Sequence, residues 1–141
     1  MRAHNGKIYE EHKQHNMSEL MEIISILCGP EGCPWDKVQT HESLKKCLTD
    51  EVEEVFQAVD NHDDENLCEE LGDVLMQVLL YCEIAEKQGA FTFDDVVQKV
   101  SEKLIRRHPH VFGDVKMPET DEEALELWRS VKAEEKRRER S

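Results

Sequence analysis

Apolar residues along this chain recur at steps of three and four, and no segment sustains a period-two alternation of β-branched residues. Steps of three and four gather side chains on one face of a helix. The pattern therefore predicts an all-α protein. Leu20, Ile23, Ile24 and Leu27 mark a first helix over about 18–28, with Asn16 or Ser18 as its cap. Gly29-Pro30-Glu31-Gly32-Cys33-Pro34 breaks it, since two prolines and two glycines in six residues do not continue a helix. A second helix is predicted over about 41–60, capped by Thr40, with Leu44, Leu48, Val52, Val55, Phe56 and Val59 as its stripe. After the turn Asn61-His62-Asp63 comes a long helix over about 64–88, closed by Gly89. Its stripe is Leu67, Leu71, Val74, Val78, Tyr81 and Ala85. Thr92 and Asp95 open a helix over about 93–107 that Pro109 stops. Thr120 with Glu123 forms a capping box for a final helix over about 121–137. Its apolar face is narrow: Ala124, Leu127, Trp128 and Val131.

Short turns between long helices make them antiparallel neighbours, so an antiparallel helical bundle is expected. A chain of 141 residues suits one domain. The division predicted is a loose polar extension over 1–16, one domain over 17–135 and a charged tail over 136–141. The long third helix also carries Leu75, Met76, Leu79 and Leu80, so it is apolar around much of its girth. A helix of that kind must be covered on several sides. Five modest helices are too few to do so, and a homodimer that completes the bundle is expected, or a higher homo-oligomer. A monomer with a well-buried central helix is the alternative.

Charge narrows the function classes. Asp and Glu number 32 against 18 Lys and Arg, a net charge of −14, which argues against nucleic acid as a partner. No apolar run approaches the length of a membrane span, and the opening MRAHNGKIYEEHKQHN lacks the apolar core of a signal peptide. Cys28, Cys33, Cys47, Cys68 and Cys82 are odd in number and stand mostly at small apolar positions of helices. They point to a reducing, cytoplasmic compartment. A zinc site is the rival, without any CxxC or Cys/His pair at ligand spacing.

The distribution of charge says more than its sum. From Cys47 to Glu86 there is no Lys or Arg, yet 13 Asp and Glu. Eleven of the 18 basic residues follow residue 98. Like charges on adjacent turns repel unless something neutralises them. Glu51 and Glu54 stand three apart, and Glu51 interrupts the core stripe between Leu48 and Val55. Glu70 and Asp73 are also three apart, on a line that continues through Gln77, Leu80 and Ile84 into the apolar face. Two neighbouring antiparallel helices thus each aim a carboxylate pair at or beside the core. Buried unpaired carboxylates cost several kcal/mol or take up protons. A hard divalent cation is the natural compensation, and Mg²⁺ suits oxygen ligands and phosphate chemistry. The other reading is an acidic, solvated helix pair.

Downstream, Lys103, Arg106 and Arg107 fall near one side of a helix's last turn, ahead of His108-Pro109-His110. They suit the helix dipole, and they could equally hold phosphate oxygens. Trp35 and Trp128 are the only tryptophans, and Trp128, on a narrow helix, is the better candidate for stacking on a base. His108 and His110 are acid–base candidates by residue type. No phosphate-cradling GxxxxGK[ST] loop is present.

Asp50-Glu51-x-x-Glu54, followed by Glu70-x-x-Asp73, resembles the EExxE…ExxD signature of the all-α nucleotide pyrophosphohydrolases. Gly32-Cys33-Pro34-Trp35-Asp36, Glu70-Leu71-Gly72-Asp73, Arg106-Arg107-His108-Pro109-His110-Val111-Phe112 and Leu127-Trp128-Arg129-Ser130-Val131-Lys132 narrow the resemblance to the MazG family, in single-domain form. The resemblance covers about 17–135. It implies a dimeric helical bundle and a Mg²⁺-dependent hydrolase, with Mn²⁺ as a substitute. The expected reaction splits nucleoside triphosphates into monophosphate and pyrophosphate. Carried over by motif, Glu51, Glu54, Glu70 and Asp73 are the expected metal ligands, with Glu51 or Glu54 as the base. Lys103, Arg106 and Arg107 would contact phosphates, and Trp128 with Lys132 would close on the nucleotide. Asp50 stands where the signature has Glu, one methylene shorter, and is left out of the ligand set. A narrow dUTP- or dCTP-type pyrophosphatase and a non-catalytic nucleotide-sensing or protein-binding helical dimer are the rival readings.

Overall fold

A computed structural model describes residues 1–140. The chain divides into two compact units, one of residues Met1–Phe93 and one beginning at Asp94. In the first, β1 (Ala3–His4) and β2 (Lys7–Ile8) form a small antiparallel hairpin, with Ala3 opposite Ile8. Asn5 and Gly6 turn it with φ of 52° and 76°, the left-handed values that Asn-Gly hairpin turns require. Residues 1–16, expected as a loose extension, therefore contain local structure. Lys7 reaches Glu22 at 3.2 Å, and His15 Nδ1 meets Glu19 at 2.7 Å.

Helix α1 (Met17–Leu27) starts where Asn16 Oδ1 accepts from the Glu19 N–H at 2.9 Å, the cap that the sequence predicts. The Gly-Pro segment then folds back. The Cys33 N–H donates to Leu27 O at 2.9 Å, Lys37 donates to Pro30 O at 3.1 Å, and Lys87 donates to Cys28 O. A one-turn helix, α2 (Pro34–Lys37), follows, with Pro34 at its first position where no N–H is needed. Helix α3 (Lys45–Asp60) begins one turn later than the sequence suggests. The reason is local. The Thr40 and Ser43 hydroxyls accept each other's backbone N–H, at 3.0 and 2.8 Å, so Thr40 caps this turn as predicted, but the Lys45 N–H bonds Glu42 O at 3.3 Å instead of the carbonyl four residues back, which delays the regular helix.

Helix α4 (Asp64–Lys87) runs back antiparallel to α3. It ends as predicted at Gly89, φ 71°, with the Ala90 N–H bonded to Ala85 O and the Gly89 N–H to Glu86 O. This paired closure satisfies two carbonyls that the helix end would leave open. The His41 ring stacks on Tyr81, His41 Nε2 pairs with Tyr81 O at 3.0 Å, and the Tyr81 hydroxyl donates to His41 O at 3.1 Å. That double tie fixes the start of α3 against α4. The core is Ile24, Cys28, Leu44, Leu79 and Leu80, with α4 packed on both α1 and α3. The predicted stripes are only partly buried. Phe56, Val59 and Leu71 are 59%, 52% and 52% exposed, while Ala58 is buried instead.

The second unit holds most of α5 (Phe93–Arg107), the one-turn α6 (Pro109–Phe112) and α7 (Asp121–Glu139). The Thr120 hydroxyl accepts from the Glu123 N–H at 3.1 Å, and the Glu123 carboxylate accepts from the Glu119 N–H at 2.9 Å. The predicted capping box therefore opens α7. Among the described residues, no helix is long and apolar enough to cross a membrane.

Candidate active site

Glu51 and Glu54 project from α3, Glu70 and Asp73 from α4. Each offers an oxygen to a cluster whose members all lie within 4.8 Å of one another. The i, i+3 spacing on each helix and the antiparallel hairpin suffice to produce this meeting. Glu51 has Asp73 and Glu54 as its acidic neighbours, and Glu70 has Glu54, Asp73 and Glu51. One oxygen each of Glu51 and Glu70 is buried without a hydrogen-bond partner. The electrostatic consequence is visible at both residues. A hydrogen bond with Glu54, followed by desolvation and repulsion from the other carboxylates, pushes the Glu70 carboxyl up to about 7. Burial, followed by repulsion from Asp73 and Glu54, raises Glu51.

Four clustered carboxylates with two orphaned oxygens are an unpaid desolvation debt in the isolated protein. An all-oxygen donor set is what a hard divalent cation prefers, so these residues fit one. Asp50 belongs elsewhere: it faces Lys46 on its own helix at 2.9 Å. One turn beyond Asp73, Gln77 is 3% exposed and its Oε1 lacks a partner, so the polar line on α4 does enter the core.

The second unit gathers most of the predicted nucleotide-contact residues. Arg106 Nε lies 2.6 Å and Arg107 Nη2 3.2 Å from the two oxygens of Glu135. Lys132 Nζ sits 4.3 Å from the centre of the Trp128 ring, and the Arg107 guanidinium 5.7 Å from it. Cations over an indole face are held by its quadrupole. Trp128 thus has both cations against its ring. Lys103 is exposed on α5. His108 Nδ1 is bonded to Leu104 O at 2.6 Å, and His110 Nδ1 is buried without a partner. Both line a cavity of about 390 Å³ with Asp121, Ala124, Leu125 and Trp128. A separate cavity of about 550 Å³ beneath the N-terminal hairpin, lined in part by Ser25, Glu31, Glu83 and Lys87, contains none of these residues.

Sequence reasoning missed Glu135. It lies three residues after Lys132 and seven after Trp128, so the helical spacing was available. It reads as one more charge in a charged tail until α5 is brought beside α7.

Helices that converge four carboxylates without a His or Cys among them define an all-α protein with an all-oxygen acidic cluster. The chain belongs to the MazG family: the profile of the MazG nucleotide pyrophosphohydrolase domain matches residues 39–112. It is 48% identical over 123 residues to the nucleoside triphosphate pyrophosphohydrolase/pyrophosphatase MazG of Thermotoga maritima, covering 87% of this chain and 46% of that protein. It is 50% identical over 122 residues to an uncharacterized protein, YabN, of Bacillus subtilis, covering 86% of this chain and 25% of that one. The chain thus spans less than half the length of these curated relatives. Among solved structures, a mazG-related protein from Thermotoga maritima superposes with a TM-score of 0.69 at 35% identity, over 83% of this chain and 99% of that one.

Proposed function

We propose that this chain is a Mg²⁺-dependent nucleoside triphosphate pyrophosphohydrolase, releasing a nucleoside monophosphate and pyrophosphate. The observation that carries the reading is the meeting of Glu51, Glu54, Glu70 and Asp73 within 4.8 Å, with two buried oxygens left unpartnered. Family membership and the activity for which its relatives are named support it. The four carboxylates would hold the cation. Mg²⁺, or Mn²⁺ in its place, supplies charge neutralisation for a polyphosphate and Lewis acidity toward its oxygens.

The chain's own residues do the rest. Glu51 or Glu54 orients a water and accepts its proton as the water attacks in line. Lys103, Arg106 and Arg107 bind phosphate oxygens, and the arginines' planar forks suit the departing pyrophosphate. Trp128 holds Lys132 and Arg107 where they can close on the nucleotide. The working form is a homodimer, which would cover Phe56, Val59 and Leu71. Free cysteines at five positions fit a reducing, cytoplasmic compartment.

The test is product analysis. The purified chain is incubated with each standard ribo- and deoxynucleoside triphosphate, with Mg²⁺ or with EDTA. Monophosphate plus pyrophosphate, formed only with Mg²⁺, is the expected result. Turnover of a single pyrimidine deoxynucleotide would make it a narrow enzyme. Nucleotide binding without any product would make it a sensing module.

A further inference from the structure

The two arginines proposed to bind phosphate already have an occupant. Glu135 bridges them with one oxygen to each, at 2.6 and 3.2 Å. Its side chain is 18% exposed and that of Arg107 19%, while that of Arg106 is 46% exposed, so the Arg107 half of the contact is the shielded one. Hydrogen bonds from Arg106 and then Arg107 hold the Glu135 carboxyl below the usual carboxylate range, so it stays ionised at neutral pH. The neighbouring Glu134 is turned away, toward Arg137 and Arg138. A carboxylate across two guanidinium forks makes the contacts that two phosphate oxygens would make. Arg107 Nε remains buried and unpartnered beside it, a spare donor that a larger anion could use.

We infer that Glu135 is a specificity-determining residue: an internal counterion that fills the anion site between Arg106 and Arg107 and must be displaced before a phosphate can bind there. The inference rests on the proposed phosphate role of the two arginines. Its consequence follows from competition. An anion binds only to the fraction of molecules in which Glu135 has swung away, and its apparent affinity falls by that fraction. Small monoanions gain nothing over the resident carboxylate. A polyphosphate, with more charge and more acceptor oxygens, still displaces it. The site is thereby kept clear of ordinary cellular anions.

Inorganic pyrophosphate, titrated calorimetrically without divalent metal, is the probe, because its binding does not depend on turnover. Glu135→Gln keeps the shape and removes the charge. It is expected to bind pyrophosphate about fivefold more tightly, the scale of a partly shielded ion pair. Acetate should compete with pyrophosphate in this variant at concentrations that leave the wild type unaffected. Glu135→Asp, a shortened carboxylate, should show a smaller gain, and it carries the test if the Gln variant does not fold. Unchanged or weaker pyrophosphate binding in a variant with wild-type helix content would overturn the inference and leave Glu135 as a tie between α5 and α7. Tighter binding in a protein that hydrolyses no triphosphate would uphold the counterion and sink the proposed reaction.

Discussion

A carboxylate in the wrong dielectric announces itself through its proton. A hydrogen bond with Glu54, then desolvation and repulsion from its acidic neighbours, pushes the Glu70 carboxyl up to about 7 in the folded chain, from an ordinary value of 4.5. Between those values the folded state holds more protons than the unfolded state. Stability must then fall as pH rises across that window. In EDTA the melting temperature should drop as pH goes from about 4.5 to about 7, and Mg²⁺ should restore it at the upper end. Glu70→Gln should flatten the fall and abolish the Mg²⁺ effect, and thermal melts of both proteins check this. A melting temperature of the parent chain that does not depend on pH or on Mg²⁺ would count against the site. Glu51→Gln should lower turnover about 100-fold or more with helix content intact, as loss of a catalytic base does. Circular dichroism beside initial rates separates the two effects. At this scale the sequence was highly legible. Glu51 interrupts an apolar stripe, and Glu70 with Asp73 lies on a line that runs into the core. Glu135 was not legible, because its meaning depends on which helix stands opposite.

At the scale of the element, capping chemistry decided most boundaries. Asn16, Thr120 and Gly89 act as read from the sequence, since each acts on backbone groups within a few residues. Thr40 also caps, through its reciprocal bonds with Ser43, but the regular helix of α3 starts a turn later because the Lys45 N–H takes Glu42 O while the distant Tyr81 hydroxyl occupies His41 O. The α1–α2 connection shows the same locality under tighter constraint. A Cβ on Gly32 would lie 2.1 Å from Leu27 O and 2.2 Å from Ile26 O, both backbone atoms that cannot step aside cheaply. Gly32→Ala should therefore destabilise the protein by roughly 3 kcal/mol or more, among the larger single-residue effects. Urea denaturation measures it, and a loss below about 1 kcal/mol would mean that the turn can shift.

Across the whole molecule, burial decides what pattern alone leaves open. The hydrophobic periodicity of α3 and α4 marks Phe56, Val59 and Leu71 as interior, yet each residue is more than half exposed in the single chain. Large apolar residues exposed at core-patterned positions suit an interface with a second surface. The proposed homodimer makes a direct prediction. The wild type should elute at twice the chain mass in light-scattering chromatography, and Phe56→Glu should shift it to the monomer. Burying a Phe side chain is worth about 1.5–3 kcal/mol, enough to move that equilibrium strongly. A monomeric wild type at working concentration would dismiss the dimer.

The sequence by itself determined the helical class, the five long helices with several of their caps, and the identity of the four carboxylates. Each of these follows from spacing and from contacts within a turn or two, which a linear pattern records. Tertiary structure decided which apolar faces are covered, and how far the carboxylates are stripped of water. It also decided that Trp128 carries cations and that Glu135 sits between two arginines. These depend on side chains far apart in the chain, whose meeting is fixed by packing rather than by spacing.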